Sequence, residues 1–252
     1  MLSEVLPAEA FGFLLVTIRL AALVMVMPIL GEASVPRRIR AGLALTISLI
    51  VYSSVREMLP PIPDNVFGLL VVMVRELLVG LIIGLATRIL MSATHTAGTV
   101  IAFQTGLSAA QSFDPAQGSQ SALVAAFMTY IAITMIVVLD LHHLMIMGMA
   151  HSYQKFPVGE ILAYADYATL ITEMVSDSFL LGFHMASPFI VYSLIFNLSL
   201  GLISRMVQGF QVFFIGMPVN IFIGFSLMMI LIGGMMQLFL DRFRELLLGF
   251  LG

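Results

Sequence analysis

Residues 75–120 read RELLVGLIIGLATRILMSATHTAGTVIAFQTGLSAAQSFDPAQGSQ, and how they are read decides the fold. The first part is an apolar run carrying charge at Arg75, Glu76 and Arg88. From residue 96 the chain turns to Gln, Ser, Thr and Gly, and apolar sequence resumes at Ala122. A polar loop is therefore expected over 96–121, between two greasy runs. In hydrocarbon each unpaired backbone group costs several kcal/mol, so irregular backbone at membrane depth survives only when packed in protein or lining water. That makes this loop the first candidate for a pore element.

The rest of the composition points the same way. Of 252 residues, 60% are hydrophobic and 10% charged, with a mean hydropathy of +1.08. Soluble domains carry about a quarter charged residues, and a chain with so few cannot cover a globule with solvated side chains. The sequence predicts an all-α integral membrane protein. A spanning helix needs about 20 apolar residues, and roughly six runs qualify, centred on 11–30, 41–55, 66–91, 122–139, 179–200 and 212–240. The last is long enough to hold a break, at Gly216-Met217-Pro218 or at Gly233-Gly234. The leader, MLSEVLPAEA, has Glu4 and Glu9 and no basic residue, so the first run reads as a retained helix rather than a cleaved signal.

Several classes of function are excluded. There is no cysteine, hence no disulfide, thiolate chemistry or Cys-ligated metal. A net charge of -3 with one lysine, Lys155, gives no field for nucleic acid. No G-x-S-x-G elbow, phosphate loop or paired intramembrane carboxylates stands ready for catalysis, so no enzyme and no cofactor is expected. The 19 methionines read first as apolar filler, and secondly as a soft surface able to seal around variable partners.

Along the chain, the basic cluster Arg37, Arg38 and Arg40 marks a cytoplasmic connection, and alternation places Arg88 and Arg205 on that side and the N-terminus outside. Arg242 and Arg244 then fall on the wrong side, so one run is expected to be a hairpin or re-entrant. Pro60, Pro61 and Pro63 make a rigid turn between the second and third runs. Residues 140–173 are the most polar long stretch, read as a loop with an amphipathic helix and as a seam between an N-terminal part, 1–175, and a two-helix part, 176–252.

Charge at the bilayer centre costs about 3 kcal/mol on insertion scales, so Arg19, Arg75, Glu76 and Arg88 each need a partner, water or a route to the interface. Arg75 and Glu76 are neighbours that point apart, which leaves Arg19 or another chain's cation for Glu76; Arg88 reads as a helix-end anchor. Gly80 and Gly84 form a small-xxx-small face for close helix packing, against a partner or within the chain. His142 and His143 face different ways, and Asp140 shares no ligand spacing with them, so no metal is expected. The loop offers Gln104, Gly106, Gln111, Phe113, Asp114, Pro115 and Gly118. It fits either a movable plug, with Phe113 excluding water, or an ordinary exposed connection.

Taken in order, Arg19 with Pro28, Gly31 and Ser34-Val35-Pro36, then RELLVGLIIGLATR, AGTVIAFQTGLSAA with Asp114-Pro115, LHHLMI, NLSLGLISR and VFFIGMPVNIFIG resemble the FliR/SctT family of type III secretion. The resemblance covers nearly the whole chain. It implies a non-enzymatic export-gate subunit of the bacterial inner membrane, within the flagellar basal body. Such a subunit assembles with FliP and FliQ into a helical hetero-oligomeric pore for unfolded flagellar proteins, with FlhA and FlhB below. It also implies that 1–175 is FliP-like, that 176–252 is FliQ-like, and that the segment around Phe113, Asp114 and Pro115 is the plug. The competing expectation is a small proton-coupled secondary transporter using Glu76 and Asp140, which would show inverted internal symmetry.

Overall fold

The structure, a computed structural model, describes residues 2–32, 34–107, 120–158, 164–206 and 212–251. Among them are seven α-helices and no strand. These are α1 (Leu2–Val26), α2 (Arg37–Val55), α3 (Val66–Gln104), α4 (Gln120–Val138), α5 (Leu141–Lys155), α6 (Tyr164–Met206) and α7 (Val212–Leu251). Five are long and apolar enough to cross a membrane; α4 and α5, joined at a 76° bend, make a sixth candidate as one broken span. The protein is thus an all-α, multi-pass membrane protein. The bend marks a broken span or a re-entrant element.

Three helices outrun the bilayer. At 1.5 Å per residue, the 39 residues of α3 extend about 58 Å, against a hydrocarbon core of about 30 Å. Even at a tilt of about 40°, the upper end of the usual range, about 44 Å remains. Each long helix therefore joins a membrane-length apolar stretch to a polar one: Ser92, Thr94, His95, Thr96 and Thr99 in α3, Glu173 and Asp177 in α6, and Asp241, Arg242, Arg244 and Glu245 in α7.

One expectation is corrected here. Residues 96–104 belong to α3 and not to the loop, because their hydroxyls are satisfied by the helix's own carbonyls. Thr99 Oγ1 donates to His95 O at 2.9 Å and Thr105 Oγ1 to Ile101 O at 2.9 Å. The last run, long enough to hold a break, is one helix, since α7 continues through Pro218 and Gly233-Gly234. In α6, Pro188 takes away the N–H that would reach His184 O, and the Ser187 hydroxyl donates to that carbonyl instead, at 2.8 Å.

The chain forms two compact units. The first comprises residues 1–90, 137–174 and 243–252; the second comprises 91–136 and 175–242. In the first, α1 is the central element, with Leu15, Val16, Leu20, Leu23 and Val24 fully buried against its neighbours. Gly80 and Gly84 of α3 meet it closely. A Cβ on Gly80 would lie 2.2 Å from Arg19 O, and one on Gly84 2.9 Å from Val26 Cβ. In the second, α3 and α4 approach at Gly98, where a Cβ would fall 2.5 Å from Ala125 Cα. Hydroxyls pair across the helices of this unit, Thr94 of α3 with Thr129 of α4 at 3.3 Å and Ser92 of α3 with Ser178 of α6 at 3.1 Å.

Candidate functional site

The centre of the first unit is a buried cation. Arg19 on α1 is 0% exposed and Glu76 on α3 1%. The guanidinium grips the carboxylate with two parallel bonds, Nε to Oε2 at 2.7 Å and Nη2 to Oε1 at 2.9 Å. Its other donors reach the C-terminal end of α5. Nη1 donates to Ser152 O at 3.1 Å and Ser152 Oγ at 3.4 Å, and Nη2 to Phe156 O at 2.9 Å. The Tyr153 ring lies 3.9 Å beneath the guanidinium carbon. A guanidinium carries five N–H groups and cannot deprotonate; the fork on Glu76, the Ser152 hydroxyl and the Ser152 and Phe156 carbonyls at the C-terminal end of α5, where that helix's dipole is negative, satisfy them together. Arg19 therefore ties α1, α3 and α5 at one point.

The other charged positions divide. Arg75 is half-buried beside Glu76. Arg88 is not at the end of its own helix, as expected, because α3 runs on past it. Instead it is exposed and donates from Nη1 to Val26 O at 3.3 Å, capping the last carbonyl of α1. Gly80 and Gly84 meet this chain's own α1, so a partner chain is not what they are shaped for.

In the second unit, the root of the polar segment is fastened. Gln104 ends α3 and its carbonyl accepts from Asn220 Nδ2 of α7 at 3.3 Å; Asn220 Oδ1 accepts from the Tyr192 hydroxyl of α6 at 2.8 Å. Gly106 follows with φ +78°, the left-handed conformation that ends helices. A Cβ on Gly224 would stand 2.3 Å from Thr105 Cγ2, so α7 and the end of α3 touch through that glycine. Gln111, Phe113, Asp114, Pro115 and Gly118 lie outside the described residues. Sequence reasoning missed Tyr192 and Asn220. The signal was present in Asn220, a lone amide inside VFFIGMPVNIFIG, which in lipid must find a partner.

A family model described as bacterial export proteins, family 1, matches residues 10–246. The chain belongs to that family. Among its relatives, this family member is similar to the flagellar biosynthetic protein FliR of Caulobacter vibrioides, 40% identical over 92% of this chain and 93% of that one. It is also similar to FliR of Bacillus subtilis, 29% identical over 94% of each chain. A further relative, the Yop proteins translocation protein T of Yersinia pestis, is 24% identical over 87% of this chain and 85% of its own. The chain is thus a component of a bacterial export apparatus.

Proposed function

We propose that this protein is a structural pore and gate subunit of the flagellar type III export apparatus. With FliP and FliQ it forms the channel through which unfolded flagellar subunits leave, in the inner membrane at the basal body, with FlhA and FlhB below. The observation that carries the reading is the 40% identity to a FliR over 92% of the chain. In the same proposal residues 1–175 take the FliP-like place and 176–252 the FliQ-like place.

The plug is assigned to residues 104–118. Its support is physical: a polar segment enters from a helix end held by Tyr192, Asn220 and the Thr105–Gly224 contact, so the segment leaves α3 from a defined point. Large apolar side chains stand exposed on α6 and α7, among them Leu194, Leu198, Phe222, Met229 and Ile230 at 62–80%. Such faces need lipid or neighbouring helices. The transporter alternative requires Glu76 to exchange protons with a pathway, yet both its oxygens are held by Arg19 and the carboxylate is sealed from solvent.

The test is co-expression with FliP and FliQ in a membrane fraction, followed by affinity capture of this chain. Recovery of a stable three-component complex is expected. Capture of this chain alone, as a monodisperse species that moves a substrate in vesicles, would replace the gate reading by the transporter one.

A further inference from the structure

We propose that the elbow between α4 and α5 is a binding site for a divalent transition metal ion of the zinc class, held by the Asp140 carboxylate and the His142 and His143 imidazoles. Sequence spacing alone offers no ligand set there. In the folded chain, however, one donor atom from each of the three side chains lies within 4.8 Å of the others. The two rings sit 4.1 Å apart at 35°, and His143 Nδ1 stands 3.5 Å from Asp140 Oδ1, longer than a good hydrogen bond.

Three further features set these groups apart. Asp140 occupies the N-cap position of α5, where an aspartate ordinarily accepts from the first turn, yet its side chain makes no cap bond. Its backbone is left-handed, φ +58°, one of two non-glycine residues so placed among the described residues, and such strain persists where the surroundings or a function demand it. His142 Nδ1 is enclosed with no hydrogen-bond partner among the described residues.

The donor chemistry selects the ion. Two imidazoles and a carboxylate suit zinc, cobalt or nickel rather than calcium or magnesium, which take oxygen donors. At metal–ligand distances of about 2.0–2.2 Å the donors must close to roughly 3.3 Å of each other. Asp140 and His143 are exposed and have the rotamer freedom to do so, and the same exposure gives the ion its way in and leaves room for water as a fourth ligand. Bound there, the ion fastens the start of α5, whose far end is already held by Arg19.

The experiment uses the full chain without a histidine tag, stripped of metal in detergent and titrated with Co2+ and then Zn2+. Saturable binding near one equivalent is expected, with visible d–d absorption that Zn2+ abolishes. Affinity should fall at least tenfold in His142→Ala and His143→Ala and stay unchanged in His95→Ala and His184→Ala. Asp140→Gly separates binding from folding, since glycine relieves the left-handed backbone while removing the ligand. It should melt no lower than the parent without metal and still lose the cobalt spectrum. Absence of saturable binding, or binding that survives Asp140→Gly and both histidine variants, overturns the proposal.

Discussion

Arg19 decides more of this structure than any other side chain, because it is a permanent charge with nowhere to go if its partners fail. Breaking a buried pair by removing one member costs about 3–5 kcal/mol, while replacing both members with apolar residues of similar volume is often close to neutral. Glu76→Leu strands the guanidinium and is expected to lower the melting temperature in detergent sharply. Arg19→Met combined with Glu76→Leu should recover much of that loss, short of the parent, because Phe156 O loses its donor and Ser152 O one of two. Purely additive losses in the double variant would contradict a coupled pair. Part of this pair is legible in the sequence: a charge inside an apolar run must be matched, and Arg19 and Glu76 are among the few charges available. The role of α5 is not legible, because two of its contacts are backbone carbonyls, which carry no residue signature, and a serine and a tyrosine in a polar stretch do not point to a buried arginine far off in the chain.

At the scale of the element, α3 carries the argument, since its first half packs on α1 and its last residues set out the polar segment. Gly80→Leu would drive a side chain into Arg19 O and part the two helices. Overpacking of this kind costs about 1–3 kcal/mol and more where backbone is struck. The chain has no cysteine, so a pair introduced on facing positions of α1 and α3 gives a clean check. Crosslinking should be efficient in the parent background and fall with Gly80→Leu. Asn220→Ala releases the Gln104 carbonyl and leaves the Tyr192 hydroxyl without its acceptor. Proteolysis near residues 104–107 should then speed up several-fold, with overall helix content unchanged.

The boundaries of α3 were the hardest feature to read. Hydropathy falls after Met91, which resembles a loop. Threonine and serine in a helix can instead return their hydroxyls to the preceding turn, so polarity there marks a helix leaving hydrocarbon rather than a helix ending. The same blindness hid the continuity of α7 through Pro218. A proline or a glycine pair is a weak breaker when neighbouring helices hold both sides.

For the whole molecule, the all-α membrane class and the family are evident from composition and motif order, whereas the partition into two units is not. Each of α3, α6 and α7 contributes one stretch to each unit; polar residues begin near each changeover, at Ser92, Glu173 and Asp241, but polarity inside an unbroken helix does not say which neighbours each stretch packs on. As one of the bacterial export proteins the chain is a component of an export apparatus, and the exposed apolar faces of α6 and α7 require cover by lipid or neighbouring helices. Its intramembrane charges do not, since Arg19, Glu76 and the Gly80–Gly84 face are satisfied within the chain itself. Isolated chain should therefore keep a folded, protease-resistant first unit in detergent while aggregating through its apolar faces on dilution of that detergent. Limited proteolysis alongside size-exclusion chromatography reads both.

The proposal with most at stake is that residues 104–118 close the assembled pore at rest. Its most direct measurement is the permeability of membranes holding the co-expressed FliP–FliQ complex of this chain, with and without residues 111–117. The account predicts leakage of ions and small solutes on deletion, at unchanged complex yield. A deleted complex as tight as the parent would contradict it.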